Sequence, residues 1–166
     1  MKTLDYVPKG LIEIKKYYGN PDVDGDFILD TWFVGDNLSI FWFPFPMHLS
    51  WKPDHLVRRF QAHVKVGLVI IDALKEIAAY KGEGYLEDNK LNYYGGCFNF
   101  RKMRGADKLS THSYGIAIDI NPHIAPFGRP GRQPDFIVKA FERRGFEWGG
   151  RWRYPDPMHF QACTGY

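Results

Sequence analysis

Residues 110–119 read Ser-Thr-His-Ser-Tyr-Gly-Ile-Ala-Ile-Asp, and residues 156–160 read Asp-Pro-Met-His-Phe. Together the two segments supply two imidazoles and two carboxylates, those of His112, Asp119, Asp156 and His159. A catalytic zinc ion is typically held by three N or O ligands, while a carboxylate that is not a ligand moves the protons. The segments therefore predict a zinc site whose ligands are His112, Asp119 and His159. Asp156 is predicted to act as the general base.

The spacing of these residues indicates how they come together. His112 and Asp119 are seven residues apart, which is too far for a single helical turn. A turn permitted by Gly115 can bring the histidine back over the end of a strand that bears Asp119. A neighbouring strand that begins at His159 then closes the third corner of the site.

The rest of the chain predicts helices and short strands around this site. Helical spacing of apolar residues favours helices at 8–18, 53–80 and 134–144, while short apolar runs favour strands at 93–100, 116–120 and 159–163. Residues 27–43 are rich in β-branched and aromatic types and are expected to form strands or an aromatic arm, with a turn at 36–37. This pattern is typical of an α+β fold, in which a small antiparallel sheet carries the site and packs against helices.

Length and charge limit the domain count and the class of partner. The 166 residues contain no internal repeat and no linker, which favours one domain over 1–166 without an attached binding module. Lys and Arg outnumber Asp and Glu by 11 to 6 in residues 101–166, but stand at 11 to 13 in residues 1–100. The positive surplus near the site favours an anionic substrate, and the absence of dense basic stripes argues against nucleic acid.

Several other features receive a structural interpretation. Residues 1–8 show no apolar segment or cleavage site, so we expect no signal peptide and synthesis in the cytoplasm. No run approaches the ~18 apolar residues of a membrane span. Cys97 and Cys163 are too few for a disulfide framework and are interpreted as buried thiols, although they flank the two halves of the site and their pairing stays open. The residues to which we assign no role in the site are His48, His55, His63, His123, Trp148 and Trp152.

The two motifs resemble a known family. Ser-x-His-x-x-Gly-x-Ala-x-Asp, followed about 40 residues later by Asp-x-x-His, closely resembles the zinc D,D-carboxypeptidase and L-alanyl-D-glutamate endopeptidase family of peptidoglycan peptidases, which includes phage endolysins. Two further segments match, residues 95–101 before the first motif and 145–152 before the second. The similarity covers residues 93–163 well.

The resemblance implies zinc-dependent hydrolysis of the peptidoglycan stem peptide, on a fold shared by D,D-peptidases and hedgehog-like domains. Arg101 matches the family arginine that lies over the site, which implies binding of a substrate carboxylate and of the oxyanion. Arg104 stands nearby and remains an alternative for that role. Ser110 matches the motif serine, which implies a hydrogen bond to the same substrate carboxylate or to a metal ligand.

The resemblance leaves three functions to distinguish. An Asp at position 156 is the residue of the endopeptidase branch, which favours a monomeric L-alanyl-D-glutamate endopeptidase that acts as a phage-type endolysin and reaches the cell wall after holin-type release. The alternative is a bacterial D-alanyl-D-alanine carboxypeptidase or dipeptidase. A non-enzymatic zinc-binding module is the third reading, and the presence of Asp156 argues against it because a structural site needs no base.

Overall fold

The computed structural model describes residues 1–166 as one domain of mixed α and β content, which confirms the predicted α+β class. Its helices are α1 (Gly10–Tyr18), α2 (Thr31–Asn37), α3 (Gly67–Lys81), α4 (Glu83–Asp88) and α5 (Asp135–Glu142). Its strands are β1 (Leu38–Leu49), β2 (Lys52–His63), β3 (Tyr93–Gly96), β4 (Ala117–Ile120), β5 (Glu147–Trp148) and β6 (His159–Gln161). None of the helices has both the length and the apolar character needed to cross a membrane.

The six strands form one sheet in the order β2-β1-β3-β4-β6-β5. All neighbouring strands are antiparallel except β1 and β3, which run parallel. The prediction of an antiparallel sheet is therefore wrong for this pair. A parallel pair needs a crossover connection, and the segment that contains α3 and α4 provides it.

The predicted helix over 53–80 is wrong in its first half, because residues 52–63 form strand β2. Backbone pairing with β1 along this stretch overrides the apolar spacing, and the burial of Phe60 and Ala62 follows the two-residue period of a strand. Val64, which fitted the helical pattern, is exposed. Helix α3 begins only at Gly67, where an added Cβ would lie 2.2 Å from the ring of Phe41, so the helix starts in close contact with β1.

The remaining predicted elements need smaller changes. Helices α1 and α5 lie where the apolar spacing placed them, and β4 and β6 fall within the predicted strands. Residues 27–43 form α2 followed by the start of β1, so that the predicted turn at 36–37 is instead the end of a helix. Cys97 and Cys163 are buried and free, which confirms the reading as buried thiols.

Successive side chains along β4 and β6 point alternately to the hydrophobic core and to the candidate site. Ile118, Ile120 and Phe160 belong to the hydrophobic core. Asp119 and His159 alternate with them and line a cavity on the other side of the sheet. The centre of the sheet thus forms both a wall of the core and the floor of the cavity.

His63, at the end of β2, is a fully buried histidine with both ring nitrogens engaged. Its Nε2–H donates to the carbonyl of Tyr18 at 3.0 Å, and its Nδ1 accepts from the backbone N–H of Lys65 at 3.1 Å. The ring also packs edge-on against the ring of Tyr18. Protonation would place a second donor opposite the Lys65 N–H, so the folded protein holds His63 in its neutral form.

We expect acid to weaken the fold through His63. Burial lowers the pKa of His63 from 6.5 to about 4, whereas the unfolded chain keeps a value of about 6.5. As the pH falls between these two values only the unfolded state gains the proton, so the free energy of unfolding decreases by roughly 3 kcal/mol. Urea denaturation at each pH measures this decrease. His63→Gln should flatten the dependence and His55→Gln, at an exposed site, should not; equal slopes for wild type and His63→Gln would contradict the assignment.

Candidate metal centre

The register of the sheet brings two of the predicted ligands together. Strand β4 pairs with β6 so that Asp119 lies directly opposite His159. On its other side β4 pairs with β3, where a Cβ on Gly95 would lie only 2.7 Å from the Cβ of Asp119. A glycine at position 95 therefore permits the close approach of the backbone to Asp119.

His112 comes from a short 3-10 turn, Thr111–Tyr114, that precedes β4. The Oγ of Ser110 accepts a hydrogen bond from the backbone N–H of His112 at 3.3 Å and so caps the turn. Gly115 ends the turn with φ 68°, and a Cβ there would lie 2.8 Å from the backbone nitrogen of His63. The expected role of Gly115 in bringing the histidine back over β4 is thus visible in its left-handed backbone and its close packing.

The donor atoms of the three residues face one another. Asp119 Oδ2 lies 3.3 Å from His112 Nε2, and Asp119 Oδ1 lies 3.0 Å from His159 Nδ1. All three side chains offer ligand atoms within 4.8 Å of one another. Ligands held 2.0–2.1 Å from a tetrahedral zinc ion lie roughly 3.3 Å apart, so this donor set fits zinc in both chemistry and spacing.

His112 faces Asp119 with its Nε2 atom, whereas His159 faces it with its Nδ1 atom. His112 Nδ1 lies 2.7 Å from the carbonyl oxygen of Cys97, which can only accept, so the proton sits on Nδ1 and Nε2 is free as a ligand. His159 Nε2 donates to Gln161 Oε1 at 3.1 Å, and the Nε2 of this glutamine donates to Glu147 Oε2 at 2.8 Å. The carboxylate of Glu147 fixes the orientation of the amide, which leaves His159 Nδ1 free.

Gln161 was not identified from the sequence, although a signal for it exists. It stands two residues after His159 on β6, and the two-residue period of a strand places both side chains on the cavity side. Residues that hold a ligand histidine in one tautomer commonly matter for metal affinity.

We expect Gln161→Leu to weaken zinc binding by roughly 10-fold or more, because His159 loses the nearer of the two acceptors for its Nε2–H and keeps only Thr111 Oγ1 at 3.3 Å. Competition with a chromophoric chelator measures the dissociation constant. Gln61→Leu makes the same chemical change on β2, outside the cavity, and should leave zinc affinity as in wild type. An affinity for zinc equal to wild type in Gln161→Leu would remove this residue from the metal centre.

Charge at the centre is concentrated on Asp119. Burial alone would raise the pKa of Asp119, but when the two imidazoles are protonated their charges and hydrogen bonds outweigh burial and hold the pKa well below its usual range. Asp119 can therefore offer an ionised carboxylate to a cation, which would take the place of those protons.

Asp156 lies beside this cluster without being part of it. Its backbone N–H donates to the carbonyl of Gly149 at 2.9 Å, and a Cβ on Gly149 would meet the Asp156 carbonyl oxygen at 2.6 Å. The side-chain Oδ1 is buried and has no hydrogen-bond partner. Burial raises the pKa of Asp156, and the charge of His159 opposes that rise only in part. Such a carboxylate is suited to accepting a proton and giving it back.

The cluster opens into a cavity of about 600 Å³. Its lining residues include Arg101, Arg104, Ser110, Asp156 and the three donors, together with the aromatic side chains Phe127, Trp152, Tyr154 and Tyr166. All residues predicted for the site therefore meet in one cavity, and both arginines reach it. His48, His55, His63 and His123 do not line it.

The two tryptophans near the second motif, Trp148 and Trp152, lie in different surroundings. Trp148 packs against the core and donates from Nε1 to the carbonyl of Pro157 at 2.8 Å, as its interpretation as a packing residue requires. Trp152 instead lines the cavity, with its ring centroid 5.4 Å from that of His159. Trp152, to which no role in the site was assigned, thus lies where a bound substrate could contact it.

Comparison with known proteins gives one match. Residues 104–162 match the family model described as D-alanyl-D-alanine carboxypeptidase. This segment contains His112, Asp119, Asp156 and His159, but it begins after Arg101. No curated protein and no solved structure matches the chain. Residues 104–162, which supply the candidate metal ligands, are thus similar to the D-alanyl-D-alanine carboxypeptidase family, in agreement with the resemblance drawn from the two motifs.

Proposed function

We propose that this protein is a zinc-dependent peptidoglycan peptidase that hydrolyses the amide bond between L-alanine and D-glutamate in the stem peptide. The observation that carries the proposal is the pairing of a three-donor cluster with the buried, unpartnered Oδ1 of Asp156 in one cavity. A structural metal site needs no such carboxylate. We propose that the ion is held by His112 and Asp119 from the first motif and by His159 from the second.

The chain supplies the proton transfers of amide hydrolysis. A zinc ion bound at this centre supplies Lewis acidity and lowers the pKa of water toward about 7. Asp156 accepts a proton from the attacking water at its free Oδ1 and returns that proton to the leaving amine. The burial that raises the pKa of this carboxyl also brings its basicity closer to that of the groups it serves.

Two arginines at the cavity are suited to the anionic parts of the substrate. The guanidinium of Arg101 is exposed and donates to the carbonyl of Lys102 at 3.2 Å, which leaves its other N–H groups available. Arg104 lies near enough to Asp156 for its charge to oppose the rise in that pKa. We assign to Arg101 the binding of a substrate carboxylate and of the oxyanion, with Ser110 assisting through its hydroxyl at the cavity wall.

Arg101→Lys should be a poor replacement, because a single ammonium cannot reproduce the two parallel hydrogen bonds of a guanidinium. We expect kcat/KM on muropeptides to fall by roughly 10-fold or more, with zinc content unchanged. Unchanged kinetics would transfer the role to Arg104, and Arg104→Lys is the matched variant that decides between them.

Each of two amide bonds of the stem peptide is supported by one observation as the bond that is cleaved. The proposed cleavage before D-glutamate places an anionic carboxyl beside the scissile bond, where the positive residues of the cavity can attract it. Removal of a terminal D-alanine is the second candidate, because it is the activity named by the matching family model. Both reactions use the same base and the same ligands, so their products distinguish them.

Digestion of purified sacculi followed by mass spectrometry of the fragments tests the bond assignment. We expect peptides that begin with D-glutamate and glycan that still carries L-alanine. Activity should fall as salt rises, since attraction between charges is screened beyond about 8–10 Å at physiological salt. Release of free D-alanine with intact L-alanyl-D-glutamate bonds would replace the endopeptidase with the carboxypeptidase.

We further propose that the protein acts as a monomeric endolysin of the phage type, reaching the wall from the cytoplasm after holin-type release. The support is the resemblance of the motifs to that branch of the family. Co-expression with a holin in a bacterial host should cause lysis, whereas expression of either protein alone should not. Lysis by this protein without a holin would contradict the proposed route.

A further inference from the structure

The cavity has a second wall that the hydrolytic centre does not use. Trp152 lies beside His159, and two further aromatic side chains, Phe127 and Tyr154, line the cavity toward solvent. Tyr154 is 74% exposed and Phe127 is 40% exposed. Neither ring belongs to the hydrophobic core. Large apolar side chains left exposed at the mouth of a cavity mark a binding surface more often than a structural one.

The two exposed rings form a defined pair. Their centroids lie 6.5 Å apart with an angle of 28° between the planes, so they present nearly parallel faces. A backbone hydrogen bond of 2.7 Å, from the N–H of Gly128 to the carbonyl of Pro155, joins the residues that directly follow each ring.

The loop that carries Phe127 is itself anchored. Gln133 is buried, and it donates to the carbonyl of Ile120 at 2.8 Å while accepting from Asn121 Nδ2 at 3.1 Å. Between Phe127 and Gln133, a Cβ on Gly131 would lie 2.1 Å from the Cβ of Pro157. The loop that carries Phe127 is therefore in close contact with the loop that carries Tyr154. The backbone segments that carry the two rings are therefore held together by contacts other than those between the rings.

The chemistry of the pair selects one part of the proposed substrate. The side chains of a stem peptide end in a methyl, carboxylate, amide or ammonium group. An ammonium can bind over one ring, but none of these groups offers a flat surface that covers two rings. A sugar ring has a flat face of C–H groups that can stack on aromatic rings, whose faces carry negative charge density. The guanidinium of Arg104, 5.4 Å from the ring centroid of Phe127, adds donors for sugar hydroxyl or acetamido oxygens.

We propose that Phe127 and Tyr154 form a subsite for the muramic acid sugar that carries the stem peptide. The proposal rests on the function proposed above, because only cleavage after L-alanine brings that sugar close. A lactyl group and one alanine span roughly 7 Å, whereas about five such units, roughly 17 Å, separate the sugar from a terminal D-alanine bond. Phe127 and Tyr154 line the same cavity as the three donors, and Arg104 lies close to both parts, with its guanidinium 5.4 Å from the ring centroid of Phe127 and its charge acting on Asp156. A sugar held about 7 Å from the scissile bond is therefore the part of the substrate that we place against the aromatic pair.

Binding of two small ligands that are not hydrolysed tests the subsite. N-acetylmuramyl-L-alanine carries the sugar, and D-lactyl-L-alanine keeps the lactyl group and the alanine but lacks the sugar. Calorimetric or NMR titration of the zinc-loaded protein should show at least about tenfold tighter binding of the sugar-bearing ligand. Tyr154→Ala and Phe127→Ala should each reduce this preference. Trp42→Ala is the matched control, since this ring is 63% exposed on β1 and does not line the cavity, and it should keep the full preference.

The outcomes separate the subsite from the proposed function. Equal affinity of the wild type for the two ligands, including undetectable binding of both, overturns the subsite, as does a full preference in both Tyr154→Ala and Phe127→Ala. These titrations need no turnover. A sugar preference in a protein that fails to cleave sacculi would therefore support the subsite and overturn the peptidase assignment, whereas cleavage without a sugar preference would do the reverse.

Discussion

His159→Ala is expected to lose the zinc ion and with it all measurable hydrolysis of peptidoglycan. The substitution removes one of three donors, and the two that remain, on His112 and Asp119, cannot complete a site that keeps an open position for substrate. It also removes the Nδ1 atom that faces Asp119 Oδ1 at 3.0 Å. Metal analysis after dialysis should show less than one equivalent of zinc, against one equivalent in wild type.

His55→Ala is the control for this experiment, because His55 is exposed and lies outside the cavity. It should retain one zinc ion and full activity. A full equivalent of zinc in dialysed His159→Ala would show that the ligand set is wrong. A strong chelator should abolish the activity of the wild-type protein, and added zinc should restore it.

Asp156→Asn is expected to lower turnover by roughly 100-fold or more while zinc content and fold persist. The amide keeps the size of the carboxyl but cannot take a proton. Because Asp156 lies outside the three-donor cluster, its replacement should leave the metal in place. The rate of hydrolysis of muropeptides and the zinc content, measured on the same preparation, separate these effects.

The control for Asp156→Asn is Asp88→Asn, an exposed aspartate at the end of α4. It should hydrolyse muropeptides at the wild-type rate. Near wild-type turnover in Asp156→Asn would remove Asp156 from the mechanism. Loss of zinc in that variant would instead make this residue a ligand.

The cluster was predictable because its parts are local. His112 and Asp119 belong to one short segment, and Gly115 between them is the residue that a left-handed turn requires. His159 lies on a strand that pairs with the strand of Asp119, and each strand shows its own apolar pattern. Spacing within a motif therefore carries most of the information about this part of the site.

Other features depend on contacts that spacing does not encode. Residues 52–63 carry apolar side chains three or four apart, yet pairing with β1 makes them a strand, because backbone hydrogen bonds to a neighbour are not visible in the pattern of one segment. Phe127 and Tyr154 lie in two irregular loops, joined by one backbone hydrogen bond between Gly128 and Pro155. No periodicity in the sequence connects those two loops.

The direct pairing of Asp119 with His159 ties metal binding to the folding of the sheet. Side chains alternate along a strand, so a slip of one residue between β4 and β6 would turn one of the two donors to the opposite face. An ion that needs both donors therefore binds only the native register, and its binding free energy adds to the stability of that register alone. A metal ion that binds to His112, Asp119 and His159 would therefore stabilise only the correct strand alignment, and a chain with misaligned central strands would lack a complete set of ligands.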